Sequence, residues 1–140
     1  MDGIILTGRY DAKLDSMHRM VMPSQFRAQV SAICGGTLHA RDMGGYLLLL
    51  PPQAVQRLLG ESEADALLDE ERRTTRRELA VEFVMLTMDV QGRVRLAEQH
   101  KALFDVKGEV SILGTGGEIE VWPKAGLARS GMGGVGDEKS

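Results

Sequence analysis

Cysteine is nearly missing from this chain: Cys34 is the only one in 140 residues, so no intrachain disulfide can form. A disulfide-stapled fold is thereby excluded, and a reducing compartment is expected. Positive charge is not in excess either. The 17 Lys and Arg against 20 Asp and Glu leave a formal net charge of −3, which argues against coating nucleic acid or anionic membrane by bulk attraction. Any site for a polyanion must therefore be local. Long apolar runs are also lacking. The longest, "YLLLL" from Tyr46 to Leu50, is far too short to span a bilayer, and "MDGIILTGRYDAK" has neither the basic start nor the apolar run of a secretory signal. A cytoplasmic protein without a membrane partner is expected.

Metal and nucleophile chemistry find little support. His18, His39 and His100 with Cys34 show no metal-ligand spacing. Cys34 reads as a buried structural thiol and His100 as a helix-surface residue. The "GTGG" from Gly114 lacks the lysine and hydroxyl residue of a phosphate loop and reads as a hairpin. The methionines fit core and turn packing rather than a binding groove. No enzyme, cofactor, metal or small-molecule substrate is expected.

What is present is a repeat. "LDSMHRMVMPSQFR" from Leu14 and "MDVQGRVRLAEQHK" from Met88 run in register without a gap. Each then passes through "GG" into an apolar run ending at proline, "GGYLLLLP" from Gly44 and "GGEIEVWP" from Gly116. Hydrophobic residues at 43% and charged residues at 26% are those of a folded globular body, so two copies of one small folded unit are predicted.

In the first copy Ile4, Leu6, Gly8, Tyr10, Ala12 and Leu14 alternate with outward Arg9, Asp11 and Lys13, the period of a strand with one buried face. In the second, Val81, Phe83 and Met85 alternate with Glu82, Val84 and Leu86, which predicts a strand covered on both faces. Asp15 and Asp89 each open a turn, because an aspartate side chain accepts from N–H groups just ahead of it. Gly92 stands where the second turn needs positive φ, and His18 stands there in the first. Beyond the turns, Met20 and Met22 face inward opposite Arg19, and Val94 and Leu96 opposite Arg93 and Arg95. Pro23 starts a helix with the stripe Phe26, Val30 and Ile33, closed by Gly35 and Gly36. Its partner runs from about Glu98 to Phe104, and a hairpin closes each copy.

The predicted organisation is a first repeat at 4–55, a helical linker at 56–79, a second repeat at 80–127 and a flexible tail at 128–140. In the linker, Ser62 with Asp65 forms a capping box, acids crowd the start, and Arg72, Arg73, Arg76 and Arg77 crowd the end, as the helix dipole favours. That arginine cluster reads as an exposed helix end rather than a second nucleic-acid contact.

Two D-x-x-x-R stretches, each followed by a short apolar strand, with a helical linker between and a "GG" hairpin after each, resemble the MraZ family of the AbrB-like swapped-hairpin superfamily. Leu6, Gly8, Tyr10, Leu14 and Asp15 resemble its opening, Pro23, Phe26 and Arg27 its P-x-x-F-R, and Asp89, Gly92 and Arg93 its second turn. His18 replaces the usual glycine, and Ala97, His100 and Lys101 replace the proline, apolar residue and arginine of the second copy. The resemblance implies a mainly β fold with short helices, in which two tandem β-β-α-β-β repeats form one pseudo-symmetric small barrel. It also implies protomers closed into a homo-oligomeric ring. The implied function is that of a bacterial, nucleoid-associated regulator, a repressor, that binds short tandem repeats of double-stranded DNA before its own operon of wall-synthesis and division genes.

An arginine at the rim of a β layer offers five donors in a planar fork, suited to phosphate or to guanine O6 and N7. Arg19 and Arg93 are the expected DNA contacts, with Lys13, His18, Arg9 and Arg95 in support and Asp15, Asp89 and Gly92 holding the turns. The bland alternative is that both arginines only pair with their acids. A rival of another class is a protein-binding module of the same fold, antitoxin-like or a ring scaffold, without DNA.

Overall fold

The computed structural model describes residues 3–60, 68–105 and 107–131. The Ser62 and Asp65 capping box and the tail beyond Gly131 lie outside them. Eight strands and their helices follow in chain order: β1 Leu6–Lys13, β2 Arg19–Val21, α1 Ser24–Cys34, β3 Thr37–Asp42, β4 Leu47–Leu50, α2 Pro52–Leu59, α3 Glu70–Ala80, β5 Val84–Thr87, β6 Arg93–Arg95, a 3-10 helix Glu98–Leu103, β7 Glu109–Gly116, β8 Ile119–Pro123 and α4 Lys124–Arg129. The fold is thus mainly β with short helices.

Six strands make one antiparallel sheet in the order β1-β7-β8-β4-β3-β5, and β2 and β6 make a separate ribbon. Hairpins join β3 to β4 and β7 to β8, each turning through a glycine at positive φ, Gly44 at 98° and Gly116 at 100°. Every other ladder crosses between the copies: β1 pairs with β7, β5 with β3, β2 with β6 and β4 with β8. Neither half could hold its sheet alone.

The expectation of a closed barrel is corrected by this order. β1 and β5 end the six-stranded sheet and do not pair with each other, so the sheet is open. Closure would need a β1–β5 ladder. Each of these strands instead runs through its aspartate turn into β2 or β6, and it is those two short strands that pair.

The core lies inside the sheet, beneath the ribbon and α1. Leu6, Leu38, Leu47, Leu49, Ile112, Ile119 and Val121 point into it from the sheet, Met20 and Val94 from the ribbon, and Phe26, Val30 and Cys34 from α1. Cys34, one turn past Val30, continues the stripe in place of Ile33, which is only partly buried. Gly35 ends α1 in the left-handed region at φ 64°, its N–H returning to the Val30 carbonyl.

Two further expectations change. The strand expected to be covered on both faces is an edge strand, with Leu86 buried on one face and Met85 64% exposed on the other. His100, read as a surface residue, is buried at 3% exposure. It occupies the register position of Phe26 in the first copy, and the repeat carries that position inward in both.

Candidate nucleic-acid interface

The two aspartate turns are built alike, bond for bond. Asp15 Oδ1 accepts from the Met17 and Arg19 N–H groups at 2.9 and 2.8 Å, and Oδ2 accepts from Arg19 Nε at 2.7 Å. Asp89 Oδ1 accepts from Gln91 and Arg93 N–H, both at 2.9 Å, and Oδ2 from Arg93 Nε at 2.9 Å. Main-chain bonds close each loop, from Asp15 N–H to Arg19 O and from Asp89 N–H to Arg93 O. The chemistry is local. A carboxylate four residues before an arginine reaches the intervening N–H groups only if the chain turns back, and the residue before the arginine must then take positive φ. Gly92 does so at 83° and His18 at 57°.

Those hydrogen bonds favour the charged carboxylates. The Arg19 N–H, then the Arg19 side chain and the Met17 N–H, bring Asp15 down to about 2 against partial desolvation. Asp89 is lowered in the same way, first by the Arg93 N–H.

Only Nε of each arginine is spent on the turn. Among the described residues the two terminal nitrogens of Arg19 and of Arg93 take no hydrogen-bond partner, and the side chains remain 28% and 34% exposed. Arg19 stands directly opposite Arg95 across the ribbon, and Val21 opposite Arg93. Met20 and Val94 point into the core, so one face of the ribbon presents three arginines around a half-exposed valine.

The supporting residues are placed less uniformly. Arg95 is exposed on the ribbon. Lys13 is exposed at the end of β1, opposite Glu109. Arg9 lies four residues further back, roughly 13 Å at the rise of an extended chain. It is half-buried opposite Leu113, its Nε 3.8 Å from Asp11, and it does not join the ribbon. His18 is 7% exposed, so its ring serves the interior of the turn rather than the surface. Its carbonyl accepts from Leu96 N–H at 3.0 Å, tying the first turn to the end of β6.

Two side chains beside the ribbon escape a reading by spacing. Glu98 binds Lys101 Nζ at 2.9 Å, and that bond, with the charges of Lys101, Arg95 and His18, holds its carboxyl below the usual range. Arg27 reaches from α1 to the Met22 carbonyl at 3.2 Å and lies against Gly92. The register of the repeat pairs Arg27 with Lys101 and so marks both positions, but only the folded chain shows what they touch.

Three of the four arginines of α3 have partners close to the helix. Arg72 Nε lies 3.6 Å from Asp69, Arg77 lies 3.8 Å from Glu70, and Arg76 donates to Gly60 O at 3.1 Å. No residue of α3 is buried. Among the described residues no group of three or more His, Cys, Asp and Glu side chains is placed to hold a metal ion, and no helix is long and apolar enough to cross a membrane.

No family model matches the chain. Individual relatives do. It is 26% identical over 118 residues to the transcriptional regulator MraZ of Mycobacterium sp. strain KMS, covering 84% of this chain and 80% of that one. The transcriptional regulators MraZ of Mycolicibacterium vanbaalenii and Rhodococcus jostii are 28% and 27% identical over 116 and 115 residues, each covering 82% of this chain and 78% of the relative. Matches of that length take in both copies of the repeat and the segment between them. With the duplicated aspartate turns, they make the chain similar to the MraZ transcriptional regulators over most of its length.

Proposed function

We propose that this chain is a sequence-specific DNA-binding regulator, a repressor of the division and cell-wall gene cluster to which it belongs, acting at the nucleoid. The units would be two swapped-hairpin repeats, 4–55 and 80–127, joined by the linker 56–79 and followed by the tail 128–140. The exchanged ladders between the copies support that description.

The observation that carries the DNA reading is the ribbon. Like charges directly opposite each other on an antiparallel pair are unfavourable, yet Arg19 faces Arg95 with Arg93 beside them. A polyanion would relieve that repulsion, and the terminal nitrogens of Arg19 and Arg93 are available to it. Each well-made arginine contact to guanine is worth about 1 to 3 kcal/mol of discrimination, so one protomer supplies few.

A ring of protomers on tandem repeats spaced near one helical turn, about 10 bp, would add such contacts through effective concentration. The place of β5 at the end of the sheet supports assembly with further copies, since a strand edge invites pairing. A net charge of −3 is compatible with this, because only one face of the assembly need be basic.

The test is a gel shift on the DNA directly upstream of the protein's own coding sequence, comparing parent, Arg19→Ala and Arg93→Ala at several salt concentrations. Both variants should bind more weakly, with shallower salt dependence. Parental affinity in both would remove these arginines from the contact. Absence of salt-dependent binding by the parent would favour the protein-binding module.

A further inference from the structure

The two arginine turns are not supported equally, and the difference centres on Arg27. A Cβ placed on Gly92 would lie 2.5 Å from Arg27 Nε, 2.6 Å from its Cδ and 2.9 Å from its Cζ. The guanidinium is therefore packed against the bare α-carbon of the residue that precedes Arg93. From there Arg27 Nη2 donates to the Met22 carbonyl at 3.2 Å, while Met22 N–H donates to the Gly92 carbonyl at 2.8 Å. Arg27, Met22 and Gly92 thus lock α1 and the end of β2 onto the second turn. The stem of Arg27 also shares a cavity wall with Asp89 and Val90 of that turn.

Among the described residues this packing leaves Arg27 Nε buried without a hydrogen-bond partner. An unpaired buried donor is unfavourable, so the placement is poorly explained by stability alone. The first turn has no such brace. At the matching position Lys101 is held by Glu98, and the left-handed residue of the first turn is the buried His18.

We propose that Arg27 is a positioning residue for Arg93: it holds the second turn rigid so that the Arg93 fork is presented in one orientation, and it does not do so for Arg19. This rests on the DNA-binding reading above. Preorganisation of this kind raises affinity by lowering the ordering cost of the contact, without adding a contact of its own. The two halves of the protomer would then be unequal, with Arg93 the more selective grip.

The experiment is a double-mutant cycle on the full-length protein with a duplex of its own upstream DNA, read by anisotropy over a salt series. Arg27→Met keeps much of the packed stem and removes the fork. It should weaken binding about fivefold to twentyfold, within the range for coupled residues in contact. Arg27→Met combined with Arg93→Ala should bind within about twofold of Arg93→Ala alone, whereas the losses of Arg27→Met and Arg19→Ala should multiply. The salt slope of Arg27→Met should equal the parent's.

A slope reduced by about one contact would mean that Arg27 itself touches phosphate, and the positioning role would be wrong. Parental affinity in Arg27→Met, or losses that multiply with Arg93→Ala, would equally overturn it. Arg27→Lys keeps the charge but not the planar fork and must reproduce the pattern; if Arg27→Met does not fold, that variant alone decides. A parent that binds no DNA would instead defeat the functional reading and this inference with it.

Discussion

His100 fills in the second copy the interior place that Phe26 fills in the first, and its Nδ1 is buried there without a partner among the described residues. The repeat holds the backbone position constant while the side-chain chemistry has changed from apolar to polar. An unsatisfied buried nitrogen costs about 1 to 3 kcal/mol. The better of His100→Phe and His100→Leu should therefore raise unfolding free energy by about 1 kcal/mol in urea titration. If both variants are less stable than the parent, the nitrogen has a partner in solution.

The same residue makes stability depend on pH. Burial lowers His100 below the usual 6.5, and the nearby Asp42 carboxylate opposes this only in part. Between the two values the unfolded chain binds the proton that the folded chain refuses. Stability is then complete above about pH 6.5 and is lost as pH falls toward the depressed folded value. Urea midpoints measured across that window should fall with pH in the parent and flatten in His100→Leu.

The aspartate turns respond at lower pH and for the opposite electrostatic reason. Asp15, at about 2 against an ordinary 3.8, is stabilised in its charged form. Its contribution is present above about 3.8 and is lost as pH falls through about 2. Carboxyl-carbon NMR titration should give Asp15 a midpoint well below that of a free aspartate, with Asp89 shifted in the same direction. An unshifted Asp15 would mean that the turn is not closed.

Gly92 and His18 share a backbone role but not a tolerance for exchange. Gly92→Ala would combine positive φ with a collision against Arg27 and should cost about 2 kcal/mol or more. His18→Gly relieves the backbone while losing a packed ring, and should change stability by no more than about 1 kcal/mol. Chemical denaturation of the two variants ranks them, and equal costs would contradict the Arg27 contact.

Cys34 is buried on the inner face of α1, and burial raises its thiol above the usual value. Thiol reagents should label it slowly in the native chain and quickly in denaturant. Rapid native labelling would place the end of α1 away from the core.

Much of this architecture can be read along the chain because its causes are local. An aspartate four residues before an arginine closes a turn by itself, alternation marks the inner face of β1, and Pro23 and Gly35 bracket α1. The in-register repeat even contains the burial of His100, although a single histidine amid polar neighbours at "EQHK" reads as surface. Helix α4 is not legible in the sequence, since "KAGLAR" is short and carries a glycine, and Leu127 is buried only because a sheet is there to receive it.

The sequence by itself determined the duplicated unit, the two arginine turns and the mainly β character, since each depends on contacts within a few residues. Only the tertiary structure decided which strands pair across the copies, that the sheet stays open, that His18 and Arg9 leave the exposed ribbon, and that Arg27 braces one turn and not the other. Those outcomes depend on ladders and packing between residues far apart in the chain. Periodicity shows which face of a strand is apolar, but nothing in a strand's own residues states which other strand will lie beside it.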